Sequence, residues 1–236
     1  MANFKTHISV AAALSGCLAT GFLGVEVASP RDVGLYFALG TLGGILPDID
    51  AHKSIPGRML FSFFAMVLAF LTLFSRASVY SIAELSIVWL VTYVVVRYII
   101  FQMFARLTVH RGIFHSILAA VFFWLLTTDI AYYVFKLSPL GSWLSGLFVF
   151  FGYLIHLILD EIYSVDLIGI KIKRSFGTAL KIISTNMRST ALLFLATMLM
   201  FYMTPSAEKF VRTVLSFDTY KSVKVKLLPK AEWFKL

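Results

Sequence analysis

Apolar residues run along this chain in long blocks, and polar residues collect in the gaps between them. Seven blocks stand out, at about 8–28, 33–47, 59–75, 80–104, 113–136, 140–160 and 190–206. A helix that crosses a bilayer needs about 20 mostly apolar residues, with a range of roughly 17–25. The second block is short and glycine-rich, which suits a tilted helix or one shielded by its neighbours. Irregular backbone is tolerated at membrane depth only inside protein or beside water. The pattern therefore predicts an all-α polytopic membrane protein of about six or seven transmembrane helices joined by short loops, with its polar site at the cytoplasmic ends. Small residues recur every three or four positions in the first block (Ser9, Ala13, Gly16, Thr20, Gly24) and again in the second (Gly34, Ala38, Thr41). Such stripes predict faces on which a second helix can approach closely.

Composition supports the membrane reading. Only 14% of the 236 residues are charged and 59% are hydrophobic, whereas a soluble domain carries about 25% charged residues. The formal charge is +9. The basic residues lie in the gaps and the tail, so membrane lipids with anionic headgroups are the expected counterpart, and no nucleic acid is expected. The single cysteine, Cys17, permits no intramolecular disulfide. "LSGC" at 14–17 resembles a lipoprotein cleavage box, but the apolar run continues well past it, so a retained first helix is expected.

If all seven blocks cross, alternate gaps face the same side. One side receives Lys5, Lys53, Arg58, Arg106, Arg111, Lys171, Lys173, Arg174, Lys181 and Arg188; the other receives Arg31, Arg76 and Lys136. The excess marks the first side as cytoplasmic. The tail after residue 206 carries seven further lysines and arginines and would then lie outside. Either the last block is re-entrant or the tail is exported despite its charge. The tail, rich in lysine with Tyr220, Trp233 and Phe234, suits a headgroup surface or a solvated end equally.

Polar residues fall on this map in a revealing way. His7 opens the first block. "GGILPDID" places Asp48 and Asp50 at the end of the second. His110, Arg111 and His115 precede the fifth, and "HLILD" places His156 and Asp160 at the end of the sixth. All fall on the cytoplasmic side at similar depth, and ionisable residues at membrane depth are functional candidates. His156 and Asp160, at i and i+4, share a helix face. Asp48 and Asp50 after Pro47 suit a turn that offers two carboxylates. His110 and His115 are five apart, which fits one in the loop and the other in the first helical turn. Imidazole and carboxylate without thiolate suits a divalent metal ion, zinc first, with manganese or iron(II) next. His7, Asp48, His115, His156 and Asp160 are the leading ligands, followed by His110 and Asp50.

"LPDID", "HRGIFHS" and "HLILD", in that order after an N-terminal histidine, resemble the YdjM-type family of inner-membrane proteins. That family is described as metal-dependent hydrolases and also labelled LexA-binding. The motifs span about residues 1–166, and Phe114 and Ala51 depart from the family's usual pattern, the latter leaving His52 doubtful as a ligand. The resemblance implies a hydrolase-like transmembrane core over 1–166 in the bacterial inner membrane. Beyond it lie a basic cytoplasmic segment with the last hydrophobic helix (167–206) and a basic tail (207–236). A LexA partner would follow only from the family label; nothing else in the chain points to it.

The chemistry expected is metal-assisted hydrolysis of a lipid or lipid-linked phosphoester at the cytoplasmic face. A metal lowers the pKa of a bound water toward about 7. Asp50 or Asp160 would take the proton, and the planar guanidinium of Arg111 would hold an anionic oxygen. A phosphohistidine phosphatase would also use HxxxD and arginine, but the chain has no Ser-Gly-His element. A proton- or ion-coupled transporter would place such groups nearer midplane in broken helices, and a scaffold would need no metal. Arg97, roughly 12 Å inside the fourth block, either snorkels outward or reaches the site. Asp129 reads as an interfacial residue.

Overall fold

The computed structural model describes residues 3–50, 55–102, 113–166, 171–172, 180–182 and 187–226. Each of the seven apolar blocks folds as a helix: α1 Phe4–Gly24, α2 Val33–Gly43, α3 Ile55–Arg76, α4 Ile82–Val94, α5 Ile117–Asp129, α6 Pro139–Ile162 and α7 Met187–Met203. Two short helices follow, α8 Glu208–Val214 and α9 Phe217–Lys226. The only sheet among the described residues is a two-residue antiparallel pairing of Val165–Asp166 with Lys171–Ile172. Among the described residues, four helices are long and apolar enough to cross a membrane: Phe4–Gly24, Ile82–Ile100, Ile117–Val134 and Pro139–Ile162. A fifth crossing is counted if α7 and Glu208–Lys226, bent by 94°, form one broken span. The described helices thus supply four or five of the six or seven crossings expected. With 11 residues, α2 is roughly 16 Å long, about half a hydrocarbon core.

The chain forms two compact units: Met1–Ile45 with His115–Leu236, and Leu46–Phe114. The first unit contains α1, α2 and the helices from α5 onward.

In the first unit, α6 is the central element. Ser138 caps its start, accepting from the Gly141 N–H at 3.1 Å, and Pro139 occupies the first turn, where a missing N–H costs nothing. Within α6, 67% of the most apolar window is buried, against 6% for Ile82–Ile100. Phe148 is fully buried, stacked on Tyr36 at 5.1 Å and edge-on to Phe22 at 5.7 Å.

The helix faces that pack differ from those the small-residue spacing predicts. On α1 the buried stripe is His7, Ala11, Ser15 and Ala19, and on α2 it is Tyr36, Gly40 and Gly43. Ser9, Ala13, Thr20 and Gly34 are exposed instead. Small residues lie on more than one face of these helices, so spacing alone does not choose between stripes. At Gly152 an added Cβ would run into the Gly40 carbonyl, and at Gly43 into that of Val149. The backbones of α2 and α6 therefore touch, as only glycine allows.

The second unit holds a 3-10 turn at Leu46–Asp50 and the α3–α4 pair. Ser81 and Glu84 form a capping box at the start of α4. Phe70 packs edge-on against Trp89 at 5.8 Å, and Phe61 against Phe101 at 5.1 Å. The helix widens into a π turn at Val95–Ile100. There the Arg97 guanidinium lies 5.2 Å from the Tyr98 ring and 5.5 Å from that of Phe101. Its charge is set against aromatic faces, an arrangement that neither snorkelling nor reach toward the site anticipated.

Candidate metal centre

Three helices of the first unit deliver polar side chains to one point. Asn3 caps α1, accepting from the Thr6 N–H at 2.8 Å, and His7 follows one turn later. His156 and Asp160 come from the last turns of α6. His115 lies two residues before α5, and not in its first turn as the spacing suggested. Ser116 takes the cap position, accepting from the Ala119 N–H at 3.2 Å. The next donors are also met, with Ile117 N–H donating to the Lys181 carbonyl at 2.8 Å. This fastening fixes Ser116 in extended backbone, next to His115.

His7 and Asp160 are each 1% exposed, and His115 and His156 are fully buried. His7 Nε2 stands 3.3 Å from Asp160 Oδ1, while Asp160 Oδ2 is 3.5 Å from His115 Nε2 and 3.8 Å from His156 Nε2. The His7 and His156 rings lie face to face, with centroids 3.7 Å apart and planes 12° apart.

The second nitrogen of His156 defines its chemistry. Nδ1 lies 2.8 Å from the Gly44 carbonyl oxygen. A carbonyl only accepts, so Nδ1 carries the proton and donates it, and in the neutral ring Nε2 keeps its lone pair. That lone pair faces carboxylate oxygens. Two electron-rich groups brought together in a dry interior are stabilised by a proton or a metal cation between them. Orienting an imidazole through its other N–H is also how metal-ligating histidines are held.

The separations fit the second of these. A charge-assisted N–H···O bond is about 2.7–2.9 Å long. Around a tetrahedral ion with bonds near 2.0–2.1 Å, neighbouring ligand atoms lie about 3.3–3.4 Å apart. The observed contacts fall closer to the second figure. Among the described residues, neither ring nitrogen of His7 and neither oxygen of Asp160 makes a hydrogen bond. His7, His156 and Asp160 offer ligand atoms all within 4.8 Å of one another, so this buried group could hold a metal ion.

Asp48 lies in the 3-10 turn of the second unit, and of Asp50 only the backbone of that turn is described. His110, Arg111 and His52 lie outside the described residues. Asp129, expected at the interface, is 7% exposed, near the opposite end of α5. Tyr133, one turn on, donates its hydroxyl to the Met203 carbonyl at 2.7 Å, at the end of α7. Sequence reading missed Gly44, which acts through its carbonyl; the Gly43–Gly44 pair beside "ILPDID" was the available sign of close backbone approach.

No curated protein and no solved structure matches the chain. A family model does match, and it extends past the 166 residues that the motifs alone suggested to include α7, α8 and most of α9. Matching residues 1–224 of its 236, the chain belongs to the family of YdjM inner membrane proteins.

Proposed function

We propose that this chain is a membrane-bound, metal-dependent hydrolase of the bacterial inner membrane, acting on a lipid or lipid-linked phosphoester at the cytoplasmic face. One observation carries the reading: a buried carboxylate meets three imidazoles at ligand spacing, with the His156 lone pair turned toward it. His7, His156 and Asp160 would hold the ion, and His115 would join them through Asp160. A divalent ion there, zinc first, supplies Lewis acidity and brings a water from pKa about 15.7 toward about 7. Gly44 keeps the His156 ring in register. Asp160 balances the positive charge. From the sequence pattern, Asp48 and His110 are added as ligands, Asp50 as proton acceptor and Arg111 as the holder of an anionic oxygen.

A second reading rests on the burial of all four side chains. Closed metal sites are structural, whereas catalytic ones keep a position open. On that reading the ion ties α1, α5 and α6 together in a non-catalytic membrane scaffold. The first experiment is metal analysis of the purified protein beside His156→Ala and Asp160→Asn. Stoichiometric transition metal in the wild type, lost in both variants, supports a metal centre. A metal-free wild type, or metal retained in both variants, sinks it. A phosphoester screen on stripped and reloaded protein then separates the readings. Hydrolysis that returns with the ion supports the enzyme, whereas thermal stability returning alone supports the scaffold.

A further inference from the structure

The segment after α7 does not continue the line of that helix. Glu208–Lys226 turns by 94° from Met187–Met203. The turn is built in. Pro205 follows α7, and its carbonyl accepts from Trp143 Nε1 at 3.0 Å, while the Met203 carbonyl accepts from the Tyr133 hydroxyl. Phe210 of α8 is buried, stacked on Trp143 at 5.6 Å and edge-on to Trp124. Lys226, at the end of α9, reaches Glu26 beyond α1 at 2.9 Å. These partners lie at the first residues of α6, beyond the end of α1 and past the C-terminal end of α5. The segment therefore lies across the end of the first unit opposite the histidine cluster.

Its outer surface is neither a soluble surface nor a buried one. Leu215 and Phe217, at the α8–α9 corner, are 76% and 75% exposed, and Tyr220 is 66% exposed. On α9, Phe217, Tyr220, Lys221 and Lys224 fall on one side of the helix at its 3.6-residue period. Over Glu208–Lys226 there are five lysines and arginines against two acidic residues. Aromatic rings with lysines on one face, set at right angles to the apolar helix α7, match the layer where apolar chains meet charged headgroups.

We propose that α8 and α9 lie in the headgroup layer of the leaflet at the end opposite the histidine cluster. Phe217 and Leu215 dip toward the acyl chains, and Lys221 and Lys224 bind anionic phospholipid headgroups. The proposal does not depend on the metal centre. It also gives the basic tail a partner at that end, where electrostatic attraction to lipid acts on a surface already docked by Phe210.

The test uses the full chain with Cys17→Ser, carrying a spin label at Phe217→Cys, in vesicles of phosphatidylcholine with or without phosphatidylglycerol. The expected result is a label at headgroup depth, reached by oxygen more than by a water-soluble nickel complex. Spin-labelled phosphatidylglycerol should associate several-fold more than phosphatidylcholine. That preference should fall toward parity in Lys221→Glu/Lys224→Glu and persist in Lys221→Arg/Lys224→Arg. The arginine pair keeps the charge, so it separates loss of lipid binding from loss of fold. A Phe217 label fully open to the water-soluble complex in both vesicle types overturns the proposal and leaves the corner as a protein-docking surface. An unchanged lipid preference in a folded glutamate pair overturns the headgroup assignment.

Discussion

Asp160 and Asp129 lie on neighbouring antiparallel helices of one unit, near opposite ends, and both are almost wholly shielded. Their surroundings could hardly differ more. Asp160 has three imidazole nitrogens within 3.8 Å. Asp129 has no hydrogen-bond partner for either oxygen among the described residues. Burial is therefore not what marks a site here. A buried carboxylate becomes a site when other groups are aimed at the same point and their lone pairs are stabilised by a cation between them. Asp129 meets only the first condition, burial, and nothing converges on it.

The largest effect should come from Asp160→Ala. Removing one partner from a buried charged cluster costs about 3–5 kcal/mol. Unfolding in detergent should shift accordingly, and metal analysis should read zero. Chelation of the wild type comes next. An ion present at about 100 times its Kd stabilises by about 2.7 kcal/mol, so stripping should lower Tm, and Asp160→Asn should not respond to chelator. If stripping leaves Tm unchanged, the contrast between the two aspartates loses its basis.

Gly152→Ala probes the support of the cluster. The new methyl group would push α2 from α6 and carry the Gly44 carbonyl off His156 Nδ1. A loss of about 1–3 kcal/mol is expected from overpacking, with metal affinity down about 10–100-fold from the lost orientation. Loss of stability with unchanged affinity would show that Gly44 does not orient the ring. Asp129→Asn should be smaller still. It removes a charge without changing shape, so metal content should hold and stability should change by no more than about 1 kcal/mol, in the favourable direction. Loss of metal in this variant would break the comparison.

Glu26 is an exposed third case, and its effect should be the smallest. The Lys226 ammonium holds its carboxyl below the ordinary 4.5. A depressed pKa stabilises the contact above that ordinary value, and the contribution disappears as pH falls through the lowered one. A spin label on α9 should gain mobility only in that acid range, and Glu26→Gln should abolish the step.

How much of this was legible follows from the kind of information each feature uses. Helix positions were legible because apolar blocks are long and local. His156 and Asp160 were legible because four residues on a helix is a geometric statement. Their meeting with His7 and His115 was suggested by shared depth alone, and depth does not give distance. The packing stripes were not legible, because Ser9–Gly24 and His7–Ala19 both have helical spacing and only tertiary contact chooses between them. The right-angle turn after Pro205 was also hidden. A proline marks an interruption, but the direction taken afterward is set by Trp143, Tyr133 and Phe210, which lie far away in sequence.

The His7–Asp160 contact has a consequence for biosynthesis. Asp160 is made roughly 150 residues after His7. At about 5–20 residues per second, the first helix waits on the order of 10–30 s for its partner. Throughout that interval an imidazole destined for a dry interior sits on an apolar helix with its future neighbours unmade. The nascent chain must be sheltered or held at the membrane surface until α6 emerges, and the last-made side chain of the cluster, Asp160, closes it.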